Sequence, residues 1–229
     1  MIDEITALLN ENSDKEQAEK MSAYMKNKFA FAGIPKPQLK ELIKPFLKKT
    51  VKEPLDWQLV FELWNNEFRE AQYIALAYLG KHHREFLPSD IDRFKTLITT
   101  KSWWETVDTI DAFVGEIVMK DESLKSVMLE WANSDSIWLR RVAIDFQQEY
   151  KTDTDAELLE KIIVANLESK EFFINKAIGW SLRDYSKINP EWVQDFVERY
   201  QARMAPLSIK EATRMLKKKT VEFEKTKEV

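Results

Sequence analysis

Trp104 and Asp108 lie on one short segment, and their types and spacing could do chemistry. Because they are four positions apart, a helix would place the indole and the carboxylate one above the other on the same face. A fixed carboxylate stabilises positive charge that develops in a transition state, and the π face of a tryptophan attracts a cation. The pair could therefore stabilise a positive charge.

Two further segments downstream combine basic and aromatic residues. Arg140 and Arg141 are adjacent, so only one of them is expected to face a given surface. In the other segment Trp180, Arg183 and Lys187 share a helix face, at spacings of three and four. Arginine and lysine side chains on successive helices can bind phosphates, which makes affinity for DNA strongly salt-dependent.

Each of these residues also has an ordinary structural interpretation. Trp103, Trp104 and Trp180 could fill the core of a helical protein, as aromatic side chains often do. Asp108 could be a solvated residue or half of a salt bridge, and the two arginines could be surface charges. Residue type and spacing leave both interpretations open.

No other group of residues matches a known catalytic or metal-binding motif. The chain has no cysteine, which excludes thiol catalysis, disulfides and cysteine-ligated metal sites. His82 and His83 are adjacent and do not share a helix face, so a two-histidine metal site is not expected. Glycine-rich phosphate-binding loops and the HExxH zinc motif are absent from the sequence. We therefore expect neither a metal nor a cofactor.

Nearly every segment has apolar residues at helical spacing, and only 4 glycines and 7 prolines interrupt the 229 residues. Asp14 predicts a helix start, and Ser102 with Glu105 predicts another through a capping box. Pro190 suits a first helical turn, whereas Pro45 predicts a kink or an early end. The sequence therefore predicts an all-α protein. The predicted helices span 3–10, 14–29, 36–49, 56–66, 68–81, 88–99, 103–119, 121–132, 136–150, 154–167, 171–187, 190–202 and 207–218.

An internal repeat organises these helices. A small residue followed by leucine or isoleucine recurs every 34 residues, in four units. The pairs are Ala75-Leu76, Thr109-Ile110, Ala143-Ile144 and Ala177-Ile178. This period is typical of helical solenoids, so we expect the second helices of the units to stack and to line one wall. Asp108, Arg141 and Trp180 would lie on that wall. Because no glycine-rich or proline-rich linker interrupts the pattern, we expect a single domain over residues 1–229.

The composition is that of a folded protein, with 44% hydrophobic and 32% charged residues. No apolar run approaches the roughly 20 residues that span a bilayer, and the acidic N-terminal segment lacks a secretory pattern. We therefore expect a cytoplasmic location and no membrane partner. The net charge of −4 argues only weakly against a nucleic-acid partner, because binding depends on the local field. The segment 210–227 is locally basic and contains the run Lys217-Lys218-Lys219.

Five long segments resemble the AlkD-type bacterial alkylpurine DNA glycosylases. In chain order they are YMKNKFAFAGIPKPQLKEL, TKSWWETVD, IWLRRVAI, KEFFINKAIGWSLRDYSK and APLSIKEA, and together they extend over most of the chain. The resemblance implies an α-solenoid of HEAT-like helical repeats, a C-shaped array with DNA in its concave face. It also implies a monomer that acts on duplex DNA containing alkylated purines, without a cofactor or an obligate protein partner.

The resemblance further implies the site residues. Trp104, Asp108 and Trp180 match the catalytic tryptophan–aspartate–tryptophan cleft. The implied DNA-binding residues are Arg141, Arg183, Lys187, Lys36 and Lys40. Two positions depart from the family pattern. Glu105 stands where aspartate is expected, and Glu149 stands where a basic contact is expected, which puts one phosphate contact in doubt.

The implied reaction is hydrolysis of the N-glycosidic bond of N3- or N7-alkylated purines such as 3-methyladenine and 7-methylguanine. Such a base already carries a positive charge, so it leaves without a general acid. Asp108 would then stabilise the deoxyribose cation, and no lysine nucleophile is needed. Two alternatives stay open. One is a non-catalytic DNA-binding paralogue that recognises unusual DNA structure, and the other is a helical scaffold for a protein partner, which the acidic net charge favours.

Overall fold

The computed structural model describes residues 1–216, and in this part of the chain the protein is all-helical, as predicted. The described residues form no β-strand, only an isolated bridge between Ala30 and Phe68. The chain divides into two compact units, Met1–Phe86 and the residues from Leu87 onward. That the whole chain acts as a single domain stays a prediction.

The first unit begins with short helices that pack in sequence order. Its helix α5 packs on α6 and α1, and α4 packs on α6 and α3. The bounds are α1 (Ile2–Glu11), α2 (Lys15–Tyr24), α3 (Lys36–Leu42), α4 (Lys44–Thr50), α5 (Trp57–Asn65) and α6 (Arg69–His82).

The second unit carries the candidate site and consists of paired helices. Its bounds are α7 (Ile91–Thr99), α8 (Trp104–Lys120), α9 (Lys125–Ala132), α10 (Ile137–Asp145), α11 (Ala156–Val164), α12 (Phe172–Tyr185), α13 (Pro190–Tyr200) and α14 (Pro206–Ala212). Helices α8, α10, α12 and α14 each pack on the next, and α9 packs on both α10 and α11. This stacking of second helices is that of an α-solenoid of helical repeats, which confirms the prediction from the repeat.

Small residues allow these second helices to approach closely. The repeat residues Ala143 and Ala177 are fully buried on α10 and α12. A Cβ atom on Gly115 of α8 would lie only 2.3 Å from the carbonyl oxygen of Phe146, at the end of α10. The distance between two neighbouring helices therefore depends on the absence of a side chain at one position.

Three predicted helix boundaries are confirmed. The Asp14 side chain accepts the N–H of Gln17 at 3.0 Å and caps α2. Pro190 occupies the first turn of α13, where its missing N–H costs no hydrogen bond. The predicted helix 36–49 is split, because α3 ends at Leu42 and Pro45 stands in the first turn of α4.

The predicted capping box at Ser102 and Glu105 is wrong. The hydroxyl of Ser102 donates to the carbonyl of Ile98 at 2.6 Å, and the N-cap position of α8 falls on the next residue, Trp103. Lys101 has a left-handed backbone (φ 49), and the chain then runs extended through Trp103, which is the N-cap of α8 without a side-chain cap. Helix α8 therefore begins at Trp104, one residue later than predicted.

The other differences lie at chain turns and at the C-terminus. The predicted helix 14–29 ends at Tyr24, because Lys26 and Asn27 have positive φ angles. The predicted helix 207–218 corresponds to α14, but its last two residues lie outside the described residues, as does the basic run 217–219. Among the described residues, no helix combines the length and apolarity needed to cross a membrane.

Candidate active site

The carboxylate of Asp108, on α8, forms a two-point ion pair with the guanidinium of Arg141, on α10. Nε of Arg141 donates to Oδ1 of Asp108 at 2.6 Å, and Nη2 donates to Oδ2 at 2.8 Å. Arginine holds a carboxylate in this geometry because its donors lie in one plane. The Asp108 side chain is still 22% exposed. The carboxylate is thus fixed in orientation while it remains accessible to a ligand.

Arg141 itself is buried, with only 2% of its side chain exposed. Its Nη1 atom donates to the backbone carbonyl of Phe173, on α12, at 2.6 Å, and Nη2 lies 3.8 Å from Oδ2 of Asp145. The neighbouring Arg140 donates to Asn166 instead, so only one of the two arginines faces the site, as predicted. Arg141 therefore ties three stacked helices together, and its predicted contact with DNA stays a prediction.

The indole of Trp180, on α12, is surrounded by three cationic side chains. The distances from its ring centroid are 5.3 Å to Cζ of Arg141, 5.2 Å to Nζ of Lys176 and 6.0 Å to Cζ of Arg183. Cations at such distances are attracted to the π face of tryptophan. The ring is therefore held in place by charges from two helices.

Glu211, on α14, holds two of those cations. Its Oε1 accepts a hydrogen bond from Lys176 at 2.5 Å, and its Oε2 accepts one from Arg183 at 2.5 Å. The hydrogen bond from Lys176 is the main cause that lowers the pKa of the Glu211 carboxyl. Glu211 is therefore ionised at neutral pH and keeps both cations beside Trp180.

Asp108 and Trp180 line one cleft of about 240 Å³ between the stacked helices. The acidic residues of its lining outnumber the cationic ones, and the exposed Glu149 is among them. The residues that line the cleft are Asp108, Asp111, Ala112, Asp145, Phe146, Gln148, Glu149 and Trp180. The cleft thus presents negative charge and an aromatic wall to whatever enters it.

Two carboxyls in the cleft lie where an ionised group is poorly solvated. Burial, together with the charges of Asp145 and Asp108, raises the pKa of Asp111 well above its usual range. Burial is also the main cause that raises the pKa of Asp145 to about 7, while the charge of Arg141 opposes the rise. The cluster therefore retains a proton near neutral pH.

The two adjacent tryptophans have different surroundings. Trp104 opens α8 on the same face as Asp108, one turn before it, and is partly buried. Trp103 packs edge-on against Trp138, at 5.8 Å between ring centroids, and against Phe173, at 5.3 Å. Packing therefore accounts for Trp103, as the ordinary interpretation holds, whereas Trp104 shares a face with the carboxylate.

A family model described as the DNA alkylation repair enzyme matches residues 5–216. This range includes the stacked helices, the cleft and the predicted site residues of both units. The chain belongs to this family. The suspected resemblance is thereby confirmed, and the family acts in the repair of DNA alkylation damage, with DNA as its substrate.

A solved structure is also similar to this member of the DNA alkylation repair family. It is that of a predicted DNA alkylation repair enzyme from Enterococcus faecalis, with 35% sequence identity and a TM-score of 0.81. The similarity covers 88% of this chain and 95% of that chain, so the two correspond over nearly their whole lengths. No curated protein matched the chain.

The other predicted DNA-binding residues of this family member are accessible to a ligand. Lys187 is exposed and pairs with Asp184 on the same helical turn. In the first unit Lys36 and Lys40 are exposed four residues apart on α3, and Nζ of Lys36 lies 4.6 Å from the ring centroid of Tyr73. Their contact with phosphates stays a prediction.

The histidine pair has ordinary surroundings. His82 is buried, its Nδ1 lies 2.7 Å from Oε1 of Glu85, and its ring lies 4.4 Å from that of Tyr78. Across residues 1–216 no group of three or more histidine, aspartate or glutamate side chains could hold a metal ion. Packing within the first unit therefore accounts for His82.

Sequence reasoning missed four residues of the site: Asp111, Asp145, Lys176 and Glu211. A signal for the two aspartates was present, because they stand 34 residues apart and so occupy one position of successive repeats. No comparable signal pointed to Glu211, since its partners lie 28 and 35 residues away on another helix.

Proposed function

We propose that this protein hydrolyses the N-glycosidic bond of cationic N3- or N7-alkylated purines in duplex DNA. The observation that carries the proposal is the Asp108 carboxylate, held at two points by Arg141 and accessible beside Trp180 in one cleft. Membership of the DNA alkylation repair family supports DNA as the substrate and alkylation as the lesion.

The fixed carboxylate suits the charge that develops during this reaction. When the glycosidic bond breaks, the electron pair leaves with the base, which becomes neutral, and the deoxyribose becomes an oxocarbenium ion. A water molecule then adds to the anomeric carbon and loses a proton. We assign to Asp108 the stabilisation of the sugar cation and a hydrogen bond from that water, and such preorganised charge is a large catalytic effect.

The tryptophans supply a second attraction for the sugar cation. Trp180 lines the cleft with Asp108, and Trp104 lies one helical turn before it on the same face. An indole face attracts a desolvated cation by about 1–2 kcal/mol. The three cations around Trp180 hold its ring, although their own charge competes for its π face, so we assign Asp108 the larger share of the effect.

The charge of the alkylated base makes a general acid unnecessary. Because its positive charge comes from a covalent alkyl group, the base leaves as a neutral molecule without taking up a proton. No lysine nucleophile is required, so the enzyme we propose is monofunctional and lacks lyase activity. A solitary catalytic carboxylate is thus sufficient for this class of lesion.

The decisive experiment compares release of 7-methylguanine from a defined duplex by the wild type and by Asp108→Asn. We expect release by the wild type and a rate about 10²–10³ lower in the variant, because the amide keeps the shape and loses the charge. Duplex affinity should change much less than the rate. Asp195→Asn is the matched control, because it removes an exposed, ion-paired carboxylate on α13 and should leave the rate unchanged.

Each other outcome points to a different function. Near-normal release by Asp108→Asn would remove this residue from its assigned role. If the wild type binds duplex DNA but releases no base, the protein is a non-catalytic DNA-binding member of the family. If it binds no DNA even at low salt, a scaffold for a protein partner is the better interpretation.

A further inference from the structure

The guanidinium of Arg141 faces two carboxylates at once. Nη2 donates to Oδ2 of Asp108 at 2.8 Å and lies 3.8 Å from Oδ2 of Asp145, one turn further along α10. The Asp145 side chain is only 1% exposed, and it accepts a hydrogen bond from Gln148 at 2.6 Å. Asp145 is therefore a buried competitor for the positive charge that orients Asp108.

Charged groups reach Asp145 from several helices. On α10 itself the cation is Arg141, and on α8 the acids are Asp108 and Asp111. Helix α12 contributes the indole of Trp180 to the same cleft. Lys176, also on α12, pairs with Glu211 of α14. The exposed Glu149 completes the acidic lining.

The charges of this cluster do not balance when every acid is ionised. One guanidinium then faces three aspartates, Asp108, Asp111 and Asp145. Burial, opposed by Arg141 and reinforced by Asp108, raises the pKa of Asp145 to about 7. One proton is therefore gained or lost here near neutral pH, in contact with the catalytic ion pair.

We propose that Asp145 is a positioning residue that sets how far Arg141 neutralises Asp108, and that loss of the Asp145 proton accelerates cleavage of the glycosidic bond. The inference rests on the proposed function. It assigns Asp145 no contact with substrate, because Asp145 acts through the guanidinium and through its own charge.

The direction follows from electrostatics. When Asp145 is neutral, the guanidinium is committed to Asp108 and cancels more of its field. When Asp145 is ionised, the guanidinium is shared, and the site is one unit charge more negative. A sugar cation in the transition state is then better stabilised, so the rate rises with pH. The N1–H of 7-methylguanine also becomes acidic near neutral pH. Loss of that proton makes the base a poorer leaving group and lowers the rate, so this titration of the substrate has the opposite sign to the rise expected from Asp145.

The test is the single-turnover rate of 7-methylguanine release between about pH 5.5 and pH 8.5, a range centred on the raised pKa. We expect the wild-type rate to rise by several-fold to about tenfold around pH 7. Asp145→Asn should lack this rise, the pH step, and should keep a rate near the low-pH value of the wild type. Glu149→Gln, which removes an exposed carboxylate of the same cleft, should keep the step. The substrate is the same for both proteins, so a wild-type pH profile that does not differ in shape from that of Asp145→Asn overturns the inference.

A second variant tests the same residue without removing it. Gln148→Met deletes the hydrogen bond that favours the ionised form of Asp145. The midpoint of the step should therefore move up by roughly half to one pH unit, the pKa equivalent of one lost hydrogen bond. A midpoint that stays in place contradicts the inference even if Asp145→Asn does not fold.

A readout without DNA separates this inference from the proposed function. The ¹H–¹⁵N signal of Arg141 Nε should titrate near pH 7 in the free wild-type protein and should not in Asp145→Asn. If no base is released at any pH but the signal titrates, the proposed function fails. The sharing of the Arg141 guanidinium between Asp108 and Asp145 is then still supported. If the signal does not titrate in the wild type, Arg141 is not shared between the two carboxylates in the way proposed, whether or not base is released.

Discussion

At the scale of single residues, the site is organised by a buried arginine and not by an exposed one. Arg141 has donors directed at Asp108 and at the carbonyl of Phe173, and only 2% of its side chain is exposed. Burying such a pair costs desolvation energy that its attraction barely repays, so the pair adds little net stability. Its effect is to hold one carboxylate in one orientation.

Arg141→Lys tests this orienting role. Lysine keeps the positive charge but lacks the planar set of donors of the guanidinium, so part of the hydrogen bonding to Asp108 and Phe173 is lost. We expect the free energy of unfolding to fall by about 1–3 kcal/mol and the release rate to fall at least tenfold. Urea unfolding and single-turnover release measure the two effects.

The matched control is Arg199→Lys, at an exposed arginine paired with Glu160 and Asp195. Its stability should change by no more than about 0.5 kcal/mol. Wild-type stability and rate in Arg141→Lys would show that the positive charge alone is sufficient and that the planar guanidinium donors are not required.

At the scale of elements, close packing of successive second helices brings the site residues together. Helix α12 carries Trp180, and α14 carries Glu211, which holds the cations beside it. The two helices approach at Gly179, where a Cβ atom would lie 2.6 Å from Cβ of Glu211 and 3.1 Å from the carbonyl oxygen of Ser208. The absence of a side chain at Gly179 therefore helps to place Glu211.

Gly179→Ala tests this dependence on helix spacing. An added methyl group must displace α14, so we expect the free energy of unfolding to fall by about 1–3 kcal/mol. The control is Gly80→Ala, at an exposed position of α6, where alanine should stabilise the helix by about 0.5–1 kcal/mol. Because the two substitutions should change the free energy of unfolding in opposite directions, the comparison separates the effect of helix spacing from that of helix propensity. A stabilised Gly179→Ala would show that the approach of the two helices is not restrictive.

At the scale of the whole molecule, an acidic protein must bind an acidic polymer. The net charge is −4, yet the predicted phosphate contacts include the exposed Lys36, Lys40 and Lys187. Net charge counts all charges equally, whereas binding to phosphates depends on the few that approach them. An acidic total is therefore compatible with salt-dependent binding to DNA.

Salt titration of duplex affinity tests these contacts. Lys36→Ala and Lys187→Ala should each weaken binding and lower the slope of log Kd against log salt by about one, the value for one lost phosphate contact. Arg199→Ala removes a cation that pairs with Glu160 and should leave the slope unchanged. Equal slopes for all variants would exclude these lysines as phosphate contacts.

The sequence by itself determined the fold class and most helix positions, because both depend on local and periodic properties of the chain. Apolar spacing predicts the helices, and the 34-residue repeat predicts that the helices carrying Asp108, Arg141 and Trp180 stack in order. The capping box at Ser102 failed because α8 begins one residue later than the pattern predicts. Its N-cap is Trp103, and the serine hydroxyl donates to the carbonyl of Ile98 in the preceding helix.

Only the tertiary structure decided which charges face each other. Spacing along the chain shows that Arg141 and Asp145 are one turn apart, but not that their common neighbour is Asp108 of another helix. Burial, and with it the raised pKa of Asp145, is a property of the packed helices and not of the residue. Periodicity thus determines which elements form and in what order they stack, whereas ion pairs and burial depend on side-chain positions that arise only when the helices have packed.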